Sequence, residues 1–138
     1  LFANARVDAA GRAAAEALMG AAGLTAWIGD EALMDAVTAV SGSGPAYVFL
    51  LAEAMQAAGE AQGLAPDTAR TLVQQTILGA ARMLSETGEP AATLRQRVTS
   101  PSSTTQAAIE SFEGNDFRRL VHEAITAATE RGRQLSAG

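Results

Sequence analysis

Residues 41–52 read SGSGPAYVFLLA, and this stretch decides the fold class of the chain. Its glycines end one helix, and Pro45 suits the first turn of the next helix, which we predict from Pro45 to about Gln62. The first half of that helix is apolar on every side, a pattern typical of a helix that is buried all round. A chain of 138 residues has little other material with which to enclose it. The stretch therefore indicates a partner subunit.

The pattern on both sides of this stretch is helical as well. Upstream, Asp30 and Glu31 open a helix that stops at residues 41–45, with acidic groups in the first turn where the helix dipole favours them. Downstream, breakers and caps divide the chain into four further predicted helices: from Pro66 to Gly88, from Pro90 to Val98, from the loop at 99–105 to about Phe112, and from Asn115, the predicted N-cap, to Leu135.

Residues 1–29 have a different pattern. We predict short strands at residues 1–3 and 24–28 and a helix over residues 9–19 between them. Strand, helix and strand in this order form one unit of a parallel α/β sheet, which alone cannot cover both of its faces. The predicted fold is mainly all-α, with a short β-α-β remnant of a larger α/β domain at 1–29 and a helical domain at 30–138.

Composition and charge exclude several classes of protein. The net charge is −5, and the ten basic residues are scattered arginines, so we expect no nucleic-acid interface. No apolar run reaches the roughly 18 residues of a membrane helix. Arg6 and Asp8 fall where the apolar segment of a signal peptide would lie, so we expect none. The absence of Cys excludes disulfides, and a single His excludes a His-rich metal site. We expect a cytoplasmic location and no bound metal.

Residues 99–105, TSPSSTT, form the most polar loop among the apolar helices. The loop leads into a predicted helix, whose first N–H groups lack partners and attract negative charge. A carboxylate ligand fits such a place, although spacing alone favours ordinary helix capping. The glycines at 42 and 44 lack the spacing of a phosphate loop, and Tyr47 is predicted to be a core residue with a hydrogen-bonded hydroxyl.

Two separated motifs in this chain resemble one known family. Residues 35–49, DAVTAVSGSGPAYVF, look like the start of the C-terminal helical domain of pyrroline-5-carboxylate reductases, and residues 86–105 resemble the substrate loop of that family. Residues 27–31 resemble its interdomain junction. The resemblance covers essentially the whole chain in order, and two motifs together are far more specific than either one alone.

This resemblance implies that the chain is one part of a two-domain reductase. Family members reduce 1-pyrroline-5-carboxylate to L-proline with NADPH or NADH, the last step of proline biosynthesis, and hold the cofactor in a Rossmann domain. Residues 1–29 would be the end of that domain, and residues 30–138 a dimerisation and substrate-binding domain that interlocks with a second copy. Such homodimers assemble further, up to a decamer built as a pentamer of dimers. Because the chain has no dinucleotide fingerprint, we expect it to bind no cofactor alone and to be inactive alone.

The candidate site residues follow from the same resemblance. The substrate carboxylate would lie among the residues of one loop: Val98, Ser100, Ser102, Ser103 and Thr104. Thr105, also in the substrate-binding set, is the candidate catalytic residue, because its hydrogen bond to the ring nitrogen or a nearby water would help deliver a proton. The family usually has two glycines where this chain has Ser102 and Ser103, and a side chain forced to positive φ there costs about 1–2 kcal/mol.

Two other functions are compatible with the same pattern. The chain would be a non-enzymatic helical oligomerisation module if the two serines mark a lost activity. It would otherwise be the helical domain of another two-domain dehydrogenase, such as the 6-phosphogluconate type, against which the motifs at 41–45 and 99–101 argue. Restoring glycine at 102 and 103 separates the oligomerisation module from a reductase, and the substrate specificity of the longer protein separates the other dehydrogenase.

Overall fold

The computed structural model describes residues 1–136 of the chain, and this part is mainly helical, as the sequence predicts. The α-helices of the described part are α1 (Ala9–Gly20), α2 (Met34–Val37), α3 (Gly44–Ala61), α4 (Pro66–Thr87), α5 (Ala91–Arg97), α6 (Thr104–Gly114) and α7 (Phe117–Ser136). The described part divides into two compact units, one of residues 44–122 and one of residues 1–43 together with residues 123–136. The predicted domain boundary after residue 29 stays a prediction.

Helix α1 is held by its own cap and by an aromatic contact. The Asp8 carboxylate accepts a hydrogen bond from the Gly11 N–H at 2.8 Å, which satisfies one of the unpaired donors at the helix start. Trp27 lies against the helix, because its Nε1 donates to Glu16 Oε2 at 3.2 Å and the Arg12 guanidinium lies 4.8 Å from the centre of its ring. The predicted helix over residues 9–19 is confirmed and is one residue longer.

The two predicted strands on either side of α1 are wrong. Neither 1–3 nor 24–28 is a strand in the described residues 1–136. Two backbone hydrogen bonds join the segments: Leu1 N donates to Ala26 O at 2.6 Å, and Ile28 N donates to Leu1 O at 2.8 Å. A strand needs a row of such bonds. The pairing stops after one residue because the chain turns away at Asn4, whose carbonyl accepts from Val7 N.

The segment before α3 changes helical form twice instead of running as one helix. Asp30 caps a 3₁₀ turn (Glu31–Leu33) by accepting from Ala32 N at 2.9 Å. The single turn of α2 then continues into a π-helical turn (Thr38–Gly42), in which Ser43 N donates to Thr38 O at 2.8 Å. Such wide turns insert a residue into the helical ladder, and this one ends at the glycine-rich stretch that starts α3.

Helices α3 and α4 pack against each other across a tight turn. Gly63 adopts a φ of 97°, and Leu64 N returns to Gly59 O at 3.1 Å, which is the bond that closes a helix with a left-handed residue after it. A methyl group at position 59 would lie 3.3 Å from the Leu64 side chain, so the glycine lets the turn fold back closely. Ala69 and Val73 of α4 are buried in this pair.

Helix α3 is not buried all round in the single chain, and its burial against a partner subunit stays a prediction. None of its residues is fully buried. One stripe, which includes Tyr47 and Met55, is half-covered, whereas Phe49 and Leu50 on another stripe are 65% and 66% exposed. Both stripes are apolar because the sequence places no charge before Glu53. No helix of residues 1–136 has the length and apolar character needed to cross a membrane.

The last three helices follow in short steps. Helix α5 begins after Pro90 and buries Leu94, and an ion pair joins Arg97 to Glu89. The predicted capping role of Asn115 is wrong: its side-chain amide donates to Ser111 O at 2.8 Å and so closes α6. Helix α7 starts only at Phe117. Asparagine suits either helix end, and here both its main-chain N–H and its side-chain amide donate to the Ser111 carbonyl at the end of α6.

Candidate functional site

The loop at residues 98–105 contains a tight turn. Ser103 N donates to Ser100 O at 3.2 Å, with Pro101 in the second position of the turn and Ser102 in the third. Ser102 has a φ of 58°, as the third position of a type II turn requires. Glycine takes this conformation freely, whereas serine takes it at a cost of about 1–2 kcal/mol. The turn is therefore built on a strained residue.

The second serine has a different role from the first. Ser103 is in an extended conformation, with φ −87° and ψ 164°, and its hydroxyl oxygen accepts from Gln106 N at 3.1 Å. It is the N-cap of α6, a position in which serine stabilises a helix by about 1 kcal/mol relative to alanine. Of the two positions at which the sequence resemblance predicts glycine, only 102 has a positive φ in this chain.

The loop presents donors that the chain itself does not use. The backbone N–H groups of Thr104 and Thr105, the first two of α6, donate to no acceptor among residues 1–136. The hydroxyls of Ser100, Ser102, Thr104 and Thr105 make no hydrogen bond within the same range. Thr99 differs, because its hydroxyl donates to Arg95 O at 2.6 Å and closes α5. Unpaired N–H groups at a helix start attract an anion.

All six predicted site residues thus lie in one continuous segment of one compact unit. Val98 is the C-cap of α5 and is 57% exposed, so it offers an apolar surface at the entrance of the loop. Thr105 is half-buried and stands on the first turn of α6. Whether the six residues bind a substrate stays a prediction.

Gln106 is the residue that the sequence reasoning missed. Its side-chain oxygen accepts from Ser102 N at 2.7 Å, and its side-chain nitrogen donates to Glu110 Oε1 at 2.7 Å. The pattern Ser103-x-x-Gln106 is a capping box, a motif readable from sequence. In the usual box the glutamine returns to the N-cap N–H, whereas here it reaches one residue further back, to the strained position of the turn.

An ion cluster and an apolar groove lie beside the loop but not in it. Glu113 of α6 pairs with Arg118 at 2.7 Å and with Arg95 at 3.3 Å. The hydrogen bond from Arg118, with the charges of both arginines, holds the pKa of the Glu113 carboxyl below its usual value, and Glu113 in turn raises the pKa of Arg118. The groove has a volume of about 580 Å³. It is lined by Leu51, Met55, Arg95, Ile109, Phe112, Glu113, Phe117, Arg118 and Val121.

The Tyr47 hydroxyl is buried and has no hydrogen-bond partner within residues 1–136, so the predicted hydrogen-bonded hydroxyl is wrong for this chain alone. A buried, unpaired hydroxyl is unfavourable, and each one calls for an explanation. The same residues contain no group of three or more His, Cys, Asp or Glu side chains placed to hold a metal ion.

The helices of residues 31–135 match one class of protein. A family model described as pyrroline-5-carboxylate reductase dimerisation matches residues 31–135. The helical region is therefore a dimerisation domain. The chain belongs to the pyrroline-5-carboxylate reductase family.

Individual relatives agree with the family model. The chain is 56% identical to a pyrroline-5-carboxylate reductase of Pseudomonas aeruginosa over 99% of its own length and 50% of the relative. A solved pyrroline-5-carboxylate reductase from Coxiella burnetii superposes with a TM-score of 0.93 at 47% identity, over 97% of this chain and 50% of that one. The Plasmodium falciparum enzyme, solved with NADP bound, gives a TM-score of 0.84 at 33% identity, over 95% of this chain and 50% of that one.

The chain spans about half the length of these relatives. Many nicotinamide dinucleotide sites are built on a glycine-rich turn between a strand and a helix. Residues 1–136 contain no strand, and the glycines of the sequence lack the required spacing.

Proposed function

We propose that this chain is the dimerisation and substrate-binding half of a two-domain reductase that converts 1-pyrroline-5-carboxylate to L-proline. The family match supports this proposal, together with the identity of 56% to a whole reductase of which the chain covers half. The chemistry of the loop supplies the observation that carries it. A loop with two unpaired N–H groups at a helix start suits the carboxylate of this substrate.

The proposed roles of the loop residues follow from these groups. The N–H groups of Thr104 and Thr105 and the hydroxyl of Ser100 hold the carboxylate, and the exposed side chain of Val98 contacts the apolar part of the ring. Reduction of the imine bond requires a proton on the ring nitrogen. The unpaired hydroxyl of Thr105 donates a hydrogen bond to that nitrogen or to a water beside it, and so favours protonation at this atom.

The cofactor is proposed to lie outside this chain. NADPH or NADH supplies hydride in the complete reductase, and the residues described in this chain form no site for it. We expect the chain on its own to bind no cofactor and to leave pyrroline-5-carboxylate unreduced. A cytoplasmic location is part of the same proposal, since it suits a biosynthetic reductase.

Self-association is the second half of the proposal. A dimerisation domain implies contact with a second copy, and the exposed stripe of α3 supplies an apolar surface for it. Removal of apolar surface from water is favourable by about 25 cal/mol per Å², from which the cost of association is subtracted. We propose an interlocked homodimer through α3, with further assembly up to a pentamer of dimers.

The decisive experiment changes Thr105 in the two-domain reductase that carries this chain. We expect Thr105→Val to lower kcat/KM for pyrroline-5-carboxylate by about 100-fold, the usual scale for loss of one positioned proton donor. Thr71→Val on α4, whose hydroxyl donates to Asp67 O, is the matched control and leaves the rate unchanged. A Thr105→Val enzyme with the rate of the unaltered protein would refute the catalytic assignment.

A non-enzymatic oligomerisation module is the second candidate function, and the φ of 58° at Ser102 is the observation that favours it. A strained turn holds its donors less firmly than a glycine turn. If the unaltered two-domain protein oxidises NADPH no faster than a blank and Ser102→Gly restores the rate, this second function replaces the first.

A further inference from the structure

Gln106 makes more hydrogen bonds around the candidate loop than any ordinary capping residue needs. Its main-chain N–H donates to the Ser103 hydroxyl at 3.1 Å, which is the normal capping bond. Its side-chain oxygen accepts from Ser102 N at 2.7 Å. The second bond leaves the helix and fixes the turn that precedes it.

Glu110 sets the orientation of the Gln106 side-chain amide. Its side-chain nitrogen donates to Glu110 Oε1 at 2.7 Å, one turn further along α6. A carboxylate accepts but does not donate, so it turns the amide nitrogen toward itself and the amide oxygen toward Ser102. Glu110, Gln106 and the turn form one chain of bonds.

Ser102 is the place in the loop where such support matters most. It adopts a left-handed conformation with φ 58°, and the turn is otherwise closed by one bond of 3.2 Å between Ser103 N and Ser100 O. A serine released from this conformation relaxes toward negative φ. That rotation would move Ser100 and Ser103 relative to the first N–H groups of α6.

We propose that Gln106 is a positioning residue for substrate binding, which holds Ser102 in the left-handed conformation where a glycine would need no support. The inference rests on the proposed reductase function. Gln106 acts through the backbone of Ser102, and its loss lowers the population of the loop conformation that binds the carboxylate. The expected effect is on KM and not on kcat, because the bound loop has its productive shape either way.

The test is a double-mutant cycle in the two-domain reductase, with Gln106→Ala, Ser102→Gly and the combined variant. We expect Gln106→Ala to raise KM for pyrroline-5-carboxylate by about three- to tenfold with kcat within about twofold. In the Ser102→Gly background the same change should alter KM by less than about twofold, because glycine adopts positive φ without strain. KM for the nicotinamide cofactor should stay constant throughout.

Three results would overturn the inference. They are an unchanged KM in Gln106→Ala, a fall in kcat instead, or an equal rise in KM in both backgrounds. If the unaltered protein shows no reductase activity, the proposed function fails, and the cycle is read from thermal unfolding instead. Gln106→Ala should then lower Tm more with Ser102 than with glycine at 102. Equal losses of Tm would refute the coupling of Gln106 to Ser102.

Discussion

Gly132 of α7 lies directly against the side chain of Asp35 in α2. A methyl group at position 132 would lie 2.8 Å from Asp35 Oδ1 and 3.2 Å from its Cβ. Asp35 also faces Ser136, whose hydroxyl donates to Gly132 O at 3.0 Å and lies 3.4 Å from the same Asp35 oxygen. The C-terminal part of α7 therefore packs on α2 because residue 132 has no side chain.

We expect Gly132→Ala to destabilise the chain despite the helix propensity of alanine. Alanine is favoured over glycine in a helix interior by about 1 kcal/mol, whereas the contact with Asp35 forces a shift that costs about 1–3 kcal/mol. The expected net loss is about 1 kcal/mol, measured by urea unfolding. The control is the same change in an Asp35→Gly background, where both the carboxylate and the Cβ are gone and alanine at 132 should stabilise. A gain in stability in both backgrounds would show that α7 does not pack on α2 this closely.

Ser102 and Ser103 should respond in opposite ways to glycine. Ser102→Gly removes the strain of positive φ, worth about 1–2 kcal/mol, and loses part of this to the greater freedom of the unfolded chain. We expect a gain of about 0.5–1 kcal/mol. Ser103→Gly loses a cap and gains nothing, so we expect a loss of about 0.5–1 kcal/mol. Thermal unfolding of the two single variants measures both. Equal shifts of Tm would contradict the assignment of the turn to Ser102.

The backbone conformations of these two serines could not be predicted from the sequence. The sequence predicts the loop and marks both positions as unusual, but φ at each depends on how the turn meets α6. Helix ends marked by proline or glycine, such as Pro66 and Gly88, are predicted correctly. Proline itself fixes the φ that a helix start needs, and glycine itself permits the left-handed conformation that follows a helix end. The strand prediction at residues 24–28 is wrong because a strand needs a neighbouring strand to pair with, and the local sequence does not show whether one is there.

The same limit applies to the faces of α3. An apolar residue in this helix is equally compatible with contact to α4 and with contact to a second subunit, so the sequence predicts burial without saying by what. The structure shows which of these residues the chain itself covers, since Tyr47 is half-covered and Leu50 is open. Gln106 was missed for a related reason. Its capping motif is local, but its bond to Ser102 depends on the turn.

The open stripe of α3 predicts the effect of a charge at its centre. We expect Leu50→Glu to weaken self-association of the chain at least about tenfold, because a carboxylate buried in an apolar contact loses its hydration. Light scattering after gel filtration measures the mass over a range of concentrations. Leu24→Glu, at a fully exposed position outside the compact unit Gly44–His122 that contains α3, is the control and should leave the mass unchanged. An unaltered chain that is monomeric throughout would refute the dimer itself.

The ion cluster around Glu113 predicts a pH dependence of stability. The hydrogen bond from Arg118, and then the charges of Arg118 and Arg95, lower the pKa of Glu113 from its usual 4.5 in the folded chain. A carboxyl group with a lowered folded-state pKa stabilises the fold above its unfolded pKa, and this contribution disappears as the pH falls through the folded value. Glu113→Gln should therefore lower Tm near neutral pH, and this difference should disappear as the pH falls through the lowered pKa of Glu113.

The measurement compares Tm of Glu113→Gln with that of the unaltered chain from about pH 7 to about pH 3 at low salt. Because the cluster is open to solvent, added salt should also reduce the difference at neutral pH. Glu86→Gln replaces an exposed carboxylate that makes no hydrogen bond within residues 1–136, and its Tm should follow that of the unaltered chain. A difference for Glu113→Gln that persists unchanged at low pH would mean that Glu113 supports α6 through packing rather than through its charge.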